Sequence, residues 1–166
     1  VLPVFHVHGL FIALGPVLVA GASMRYQNKF AVDAVIEALP KVTVLMGVPT
    51  YYSRLLDNPE FTNISSRNIR VFISGSAPLT ESVFRRFEER TSHKILERYG
   101  MTETGVNTSN PIDGDRIPES VGVVLPGVEL RITNEEGIEV KDESVGAIEV
   151  RGDNVFPRYW GLTDKT

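Results

Sequence analysis

A hydroxyl and a carboxylate stand side by side at Thr102 and Glu103, directly after Gly100 and Met101. The stretch from Ser92 to Leu96 has the apolar character of a short buried strand, so the pattern predicts a strand, a glycine turn and two presented oxygen groups. A hydroxyl can donate to a phosphate oxygen, and Mg²⁺ prefers hard oxygen ligands that it shares with substrate phosphates. The spacing suggests a nucleotide-phosphate and Mg²⁺ site, although the same pair also fits an ordinary solvated loop.

The composition is that of an ordinary globular protein and excludes several classes of function. The 166 residues carry a net charge of −4, which argues against a nucleic-acid footprint because that needs clustered Lys and Arg. The chain has no cysteine, so disulfides, thiolate metal sites and a cysteine nucleophile are excluded within it. The apolar stretch 9–22 is short for a membrane span and is broken by Gly15, Pro16 and Gly21. We therefore expect no membrane insertion, and we expect a cytoplasmic location as in bacteria, with an organelle matrix as the alternative.

Short apolar runs alternate with longer amphipathic ones, which predicts an α/β fold: a mostly parallel sheet flanked by helices over residues 1–110. Frequent Gly and Pro after Pro111 predict a small β-rich, barrel-like subdomain over 111–166. The predicted strands are Leu2–Val7, Ala22–Arg25, Val42–Val48, Ile69–Ser74, Val128–Thr133 and Gly146–Arg151, with a turn at Asn134–Gly137. The predicted helices are Gly9–Ala20, Val32–Leu39, one that begins at Pro49, and Pro78–Thr91 with Thr80 as its N-cap.

Four blocks along the chain resemble, in order and spacing, the adenylate-forming enzymes, the family of acyl-CoA synthetases, luciferases and peptide-synthetase adenylation domains. The blocks are Leu2–Leu10, Ile73–Leu79, Glu97–Thr104 and Gly146–Gly152 with Tyr159, Trp160 and Thr166. Two further runs most resemble the malonate-activating members: Met46–Thr50 with Arg54, and Asn107–Pro111 with Asp113–Arg116. The resemblance implies an ATP-dependent acid–thiol ligase with Mg²⁺, a small carboxylic acid and coenzyme A.

The resemblance also implies roles for individual residues. Thr102 would hold a phosphate oxygen, Glu103 would carry Mg²⁺, and Tyr99 would stack on adenine. The implied nucleotide slot consists of two segments: Ser74, Gly75, Ser76, Ala77 and Pro78 after one strand, and Glu97, Arg98, Tyr99 and Gly100 before the Thr-Glu pair. The alternatives without a functional role are a core aromatic side chain for Tyr99 and a solvated loop carboxylate for Glu103.

The acid pocket is predicted from His6, Arg54, Ser76 and Met101. By resemblance, His6 lines and gates the path of the carboxylate and takes part in catalysis; the alternative is a structural histidine. A guanidinium on an otherwise apolar helix face fits a second carboxylate bidentately, so Arg54 favours malonate or a close small dicarboxylate. The alternative for Arg54 is a surface arginine on the wet face of its helix.

Two other interpretations stay open at this point: the same chemistry on a fatty, aryl or amino acid, and a non-catalytic AMP-binding relic. The family's Ser/Thr/Gly-rich phosphate loop, its ribose-binding Asp and its mobile C-terminal domain with a catalytic Lys have no counterpart in the 166 residues. We therefore expect the chain to be the central piece of a larger N-terminal domain, accompanied by the rest of a parent chain, and to catalyse little by itself.

Overall fold

The structure is a computed structural model that describes residues 1–140 and 144–165. Two sheets and the helices around the larger one make up this part of the chain. The strands are β1 (Val44–Gly47), β2 (Val71–Ser74), β3 (Leu96–Met101), β4 (Gly105–Ser109), β5 (Val123–Val124), β6 (Val128–Thr133) and β7 (Ala147–Gly152). The helices are a π-helix (His8–Leu14), α1 (Gly15–Val19), α2 (Val32–Ala38), α3 (Pro49–Leu56), α4 (Asn63–Ser66), α5 (Glu81–Thr91) and two 3₁₀ turns (Leu39–Lys41, Thr163–Lys165).

The larger sheet has the order β1-β2-β3-β4-β5 and is mixed. The pairs β1–β2 and β2–β3 are parallel, whereas β3–β4 and β4–β5 are antiparallel. The prediction of an α/β layer is confirmed, and its parallel part is the half that carries the helical crossovers. Ile73 pairs with Leu96 and Ser74 with Glu97, so the carboxyl end of β2 lies beside the start of β3. The rest of β3 therefore continues past the edge of the sheet at which β1 and β2 end. Ligands of open α/β sheets bind at such an edge.

An aromatic cluster between the sheet and helices α3 and α5 forms the core. Phe72 of β2 and Phe87 of α5 meet edge to face at a centroid distance of 4.9 Å. Tyr52 of α3 is fully buried, and its hydroxyl donates to the Ile73 carbonyl at 2.5 Å and the Leu45 carbonyl at 3.3 Å. A single side chain thus ties α3 to two neighbouring parallel strands, which fixes the sheet edge where the chain turns toward the site.

The predicted helix over Pro78–Thr91 is confirmed over most of its length, and its start has a clear cause. The Thr80 hydroxyl accepts a hydrogen bond from the Val83 amide, as expected of an N-cap. The helix ends at Ser92, which adopts a left-handed conformation with φ 62°. The chain then enters β3 at Leu96, so the strand predicted over Ser92–Leu96 is shifted: the Glu97–Thr104 motif is itself the strand and the turn after it.

The smaller sheet is the β6–β7 hairpin, close to the strands predicted there. Its six paired positions run from Val128↔Gly152 to Thr133↔Ala147. The Asn134 and Gly137 backbone bonds show the predicted turn. The strand β5 pairs with β4 although it follows Pro111, so a strand from the second predicted subdomain completes the larger sheet. The division at residue 110 stays a prediction.

The predictions of strands over Leu2–Val7 and Ala22–Arg25 are wrong. Residues 2–7 contain turns and lead directly into the π-helix, and residues 22–25 are irregular. The Gly9 position explains part of this, because a Cβ there would lie 2.1 Å from the Pro3 carbonyl oxygen. The chain therefore folds back on itself at Pro3 and cannot run straight as a strand. Within the described residues, no helix has the length and apolar content needed to cross a membrane.

Candidate active site

An open cavity lies at the carboxyl edge of the parallel strands, between the π-helix, the turn after β2 and the β3–β4 hairpin. Its lining combines small residues, one histidine, one arginine and one tyrosine. The lining residues are Val7, His8, Ile12, Ile73, Ser74, Gly75, Ser76, Arg98, Tyr99, Gly100, Gly105 and Val106. Six of the predicted nucleotide-slot residues meet here: Ser74, Gly75, Ser76, Arg98, Tyr99 and Gly100.

The turn after β2 is held against the π-helix by one hydrogen bond and one close contact. The Ser76 hydroxyl lies 2.9 Å from Nδ1 of His8, and Ser76 adopts the unusual left-handed φ of 70°. A Cβ at Gly75 would lie 3.5 Å from Cε1 of His8, an ordinary van der Waals distance, so the turn and the imidazole pack directly against each other. Burial, and next the positive charge of Arg98, lower the pKa of His8. The imidazole is therefore neutral at pH 7 and acts as a hydrogen-bonding group.

The cation of the cavity is Arg98, on β3. Burial lowers its pKa, which means that the guanidinium has lost part of its hydration. Its Nε is buried, and no hydrogen-bond partner for it exists among the described residues. A buried donor without an acceptor costs free energy, so this group is the strongest local reason for an anion to bind in the cavity.

Glu97, the neighbour of Arg98, points away from the cavity and supports the turn after β2. Its Oε1 accepts a hydrogen bond from the Leu79 amide at 2.9 Å, and its backbone carbonyl accepts from the Asn110 amide and side chain. Burial raises the pKa of Glu97, while the bond from Leu79 opposes that rise. Glu97 thus supports the turn after β2 and does not line the cavity. Ala77 and Pro78 are exposed in the same turn and do not line the cavity either.

The β3–β4 hairpin presents Thr102 and Glu103 in a tight turn over residues 102–104. Gly100 is required there, because a Cβ would lie 1.9 Å from the carbonyl oxygen of Gly105, whose own φ of +68° favours glycine. The register shifts between Tyr99 and Gly100, which makes a β-bulge that re-aims the end of the hairpin. Thr102 is exposed and Glu103 partly exposed, so both oxygen groups are available to a ligand.

The Glu103 carboxylate accepts a hydrogen bond from the hydroxyl of Tyr159, which donates to Oε1 at 2.7 Å. This bond, and next the backbone amide of Glu103 itself, lower the pKa of Glu103, so the group is ionised at neutral pH. No cluster of three or more His, Asp or Glu side chains that could hold a metal occurs in the described part of the chain. A lone carboxylate beside a threonine hydroxyl fits Mg²⁺, which is commonly held by one or two carboxylates together with substrate phosphates.

Three predicted site residues lie elsewhere. His6 is exposed and contacts the Phe5 ring, while His8, two residues later, reaches the cavity. Arg54 is exposed on α3, and its guanidinium carbon lies 4.9 Å from the ring centroid of Phe30. Met101 is at the outer end of β3, nearly half exposed. The structure therefore does not bring His6, Arg54 or Met101 into the cavity.

Sequence reasoning missed three contributions, those of His8, Tyr159 and Asn154. It left the role of His8 open, although a histidine followed by Gly9 in an apolar run was a usable signal for a buried ring. It gave Tyr159 no role, and no local signal could have provided one, because the hydroxyl meets a carboxylate 56 positions away. The Asn154 side chain, which donates to the Thr104 carbonyl at 2.9 Å, was missed for the same reason.

Comparisons with known proteins agree with the fold. The family model for AMP-binding enzymes matches residues 1–160. The mitochondrial malonate–CoA ligase ACSF3 of Mus musculus is 37% identical over 201 residues, covering 100% of this chain and 34% of the relative. The ATP-bound crystal structure of MatB from Rhodopseudomonas palustris has a TM-score of 0.97 and 50% identity, covering 99% of this chain and 33% of that one.

The structure of a benzoate CoA ligase from Burkholderia xenovorans LB400 is also similar, with a TM-score of 0.89 and 28% identity over 98% of this chain and 34% of that one. The chain spans about a third of the length of the relatives that it matches. The family match extends over nearly all of the chain, from the π-helix through both sheets to Trp160. The chain therefore belongs to the AMP-binding enzyme family.

Proposed function

We propose that this chain is the central part of an ATP-dependent acid–CoA ligase that activates malonate, or a close small dicarboxylate. The observation that supports it best is the cavity itself. A half-buried arginine with an unpaired Nε stands there beside the Ser76 hydroxyl and the neutral His8 ring. The Thr102 hydroxyl and the Glu103 carboxylate, which suit a nucleotide phosphate and Mg²⁺, follow Arg98 in the same β3–β4 hairpin.

In the first step, a carboxylate oxygen of the acid attacks the α-phosphorus of ATP. The new O–P bond forms as the bond to the bridging oxygen breaks, and pyrophosphate leaves with the electron pair. Tyr99 would stack on the adenine, and Thr102 would donate to a phosphate oxygen. Glu103 would hold Mg²⁺, which neutralises phosphate charge when it is bound. The protein acts mainly by positioning the reactants and stabilising charge, as in other phosphoryl chemistry.

In the second step, the thiol sulfur of coenzyme A attacks the acyl carbon of the adenylate. The C–S bond forms, the bond between the acyl carbon and the AMP oxygen breaks, and the thiol proton is lost. AMP leaves as the second product. The relatives named as CoA ligases support coenzyme A as the acceptor. Their names also bear on the compartment: the mouse relative is mitochondrial, so a cytoplasmic location stays a prediction.

The malonate proposal depends on a charge in the pocket. A tunnel for an apolar chain would leave Arg98 facing hydrocarbon, and burying an unpaired charge is costly. A second carboxylate would give the Arg98 guanidinium an acceptor, and charge-assisted bonds of this kind are stronger than neutral ones. Under this proposal Arg98 would take the role that the sequence assigned to Arg54, and Ser76, which lines the same cavity, would lie near the acid.

The alternative is the same chemistry on an aromatic acid, which the benzoate ligase among the similar structures favours. Two observations weigh against it here. Among the described residues of the lining, Tyr99 is the one Phe, Tyr or Trp side chain, and the Arg98 guanidinium carries a donor without a partner. A monocarboxylate uses its single carboxylate to form the acyl-adenylate, so no carboxylate remains to accept from Nε of Arg98.

The test is acid-dependent pyrophosphate release by a chimera in which this chain replaces the matching residues of the Rhodopseudomonas palustris MatB. The 50% identity over 99% of the chain makes that exchange conservative. Malonate should support release at a higher kcat/KM than acetate or benzoate. Equal values for the three acids would contradict the dicarboxylate proposal. A folded chimera that releases no pyrophosphate with any acid would contradict the enzyme and favour a non-catalytic relic.

A further inference from the structure

A short segment after β7 is hydrogen-bonded to the 102–104 turn, which carries Glu103, the candidate Mg²⁺ ligand. This segment, residues 154–159, is here named the β7 tail. The Phe156 amide donates to the Glu103 carbonyl at 2.8 Å, and Nδ2 of Asn154 donates to the Thr104 carbonyl at 2.9 Å. The Tyr159 hydroxyl donates to Glu103 Oε1 at 2.7 Å. Two backbone positions and one functional oxygen are therefore set by the same six residues.

We propose that Tyr159 is a positioning residue for Glu103, which it holds in the orientation that a nucleotide-bound cation requires. The inference rests on the proposed function, since it needs Glu103 to serve as the cation ligand. A glutamate side chain in a partly exposed turn has three rotatable torsions, and fixing them on ligand binding costs conformational entropy. A hydrogen bond made beforehand to one carboxylate oxygen reduces that cost and leaves the remaining lone pairs for the cation.

The tyrosine is itself held in place. Its ring meets the Phe156 ring edge to face at 4.6 Å and 71°, and Phe156 is the residue whose amide holds the Glu103 carbonyl. Pro157 lies between them and fixes its own φ, which limits how the tail can move. The aromatic pair therefore couples the position of the turn's backbone to the orientation of its carboxylate.

Asn154 adds a buried connection behind the turn. Besides the Thr104 carbonyl, its Nδ2 lies 3.1 Å from Oδ1 of Asn107, a fully buried residue at the β-bulge of β4. The tail is thus anchored to the hairpin at its base as well as at its tip. The hydroxyl of Tyr159 can be removed without touching these backbone anchors, which makes the two contributions separable by mutation.

The experiment measures ATP binding by calorimetry in the chimera described above, at stepped Mg²⁺ concentrations and in EDTA. Tyr159→Phe keeps the ring and removes the hydroxyl. We expect the Mg²⁺ concentration for half-maximal enhancement of ATP binding to rise by about 3- to 10-fold, the effect of one lost hydrogen bond of ordinary strength. ATP binding in EDTA should stay unchanged. Tyr26→Phe, at an exposed tyrosine distant from the site in sequence, is the matched control.

Three other outcomes would contradict the inference, and they differ in whether the proposed role of Glu103 also fails. An unchanged Mg²⁺ dependence in Tyr159→Phe would show that the hydroxyl does not position the carboxylate. Equal weakening with Mg²⁺ and in EDTA would make Tyr159 part of the general scaffold, which also contradicts the inference. If the unsubstituted chimera binds ATP with no Mg²⁺ enhancement at all, the role of Glu103 under the proposed function fails, and the inference falls with it. Thermal melting of both variants shows whether a loss reflects unfolding.

Discussion

Replacing Arg98 by methionine should abolish the discrimination between a dicarboxylic and a monocarboxylic acyl group. Methionine keeps the approximate length of the side chain and removes its charge and donors. The buried Nε has no partner among the described residues, and burial already lowers the pKa of the guanidinium. A hydrogen bond to a charged group contributes about 1.5–3 kcal/mol, so the malonyl preference should fall by about 10- to 150-fold.

The assay is calorimetric titration of non-hydrolysable malonyl-adenylate and acetyl-adenylate analogues into the chimera. The two ligands differ only by the distal carboxylate, so the ratio of their Kd values isolates its contribution. Burial is the larger cause of the lowered pKa of His8, and the Arg98 charge lowers it further, so the substitution removes one of the two causes. Titrating at pH 8 keeps the imidazole neutral in both proteins and separates the two effects.

Arg54→Met is the matched control, because its guanidinium is exposed over the Phe30 ring and lies outside the cavity lining. It should leave the malonyl preference within about twofold, which is near the scatter expected of a surface charge. The reasoning is refuted if Arg98→Met keeps the preference. If Arg54→Met is the variant that removes it, the original sequence-based assignment is right and the cavity around Arg98 has another purpose.

Three further predictions concern stability. Glu97→Ala should lower the free energy of unfolding in urea by about 1–3 kcal/mol, because the Leu79 amide loses its acceptor, whereas Glu97→Gln should retain most of it. Gly100→Ala should lower the urea midpoint, corresponding to about 1–3 kcal/mol of overpacking, because its Cβ would collide with the Gly105 carbonyl. Burial lowers the pKa of His8, so the folded state binds fewer protons than the unfolded state below about pH 6.5. Melting temperature should therefore fall from pH 7.5 to pH 5, and His8→Gln should flatten that fall.

Local pattern was sufficient for the elements that form the core. The β-branched run before Pro49 predicts β1 and the start of α3, and the Thr80 hydroxyl predicts the start of α5. These features depend on neighbours within a few positions, where periodicity and capping chemistry are informative. The same holds for the Gly100 turn, since the glycine requirement arises within one hairpin.

The site depends on contacts that no local pattern encodes. Whether His6 or His8 faces the cavity is decided by the backbone of the π-helix and by the distant Ser76. Whether Arg54 or Arg98 loses its hydration depends on how α3 and β3 pack, which the residues next to each arginine in sequence do not determine. Residue type predicted that a histidine and an arginine would line the cavity. Tertiary packing decides which histidine and which arginine of the chain lie there.

The π-helix makes the length of its segment a property that natural variation or engineering can adjust. A π-turn contains one residue more than the α-helical pattern would use, and such turns are frequent at functional sites. Deleting one residue between Leu10 and Leu14 would restore α-helical bonding and rotate His8 by about 100° relative to α1. The imidazole would leave the Ser76 hydroxyl, and a different side chain would face the cavity. The loss of one codon in this helix could thus change which side chains line the cavity without any substitution among them.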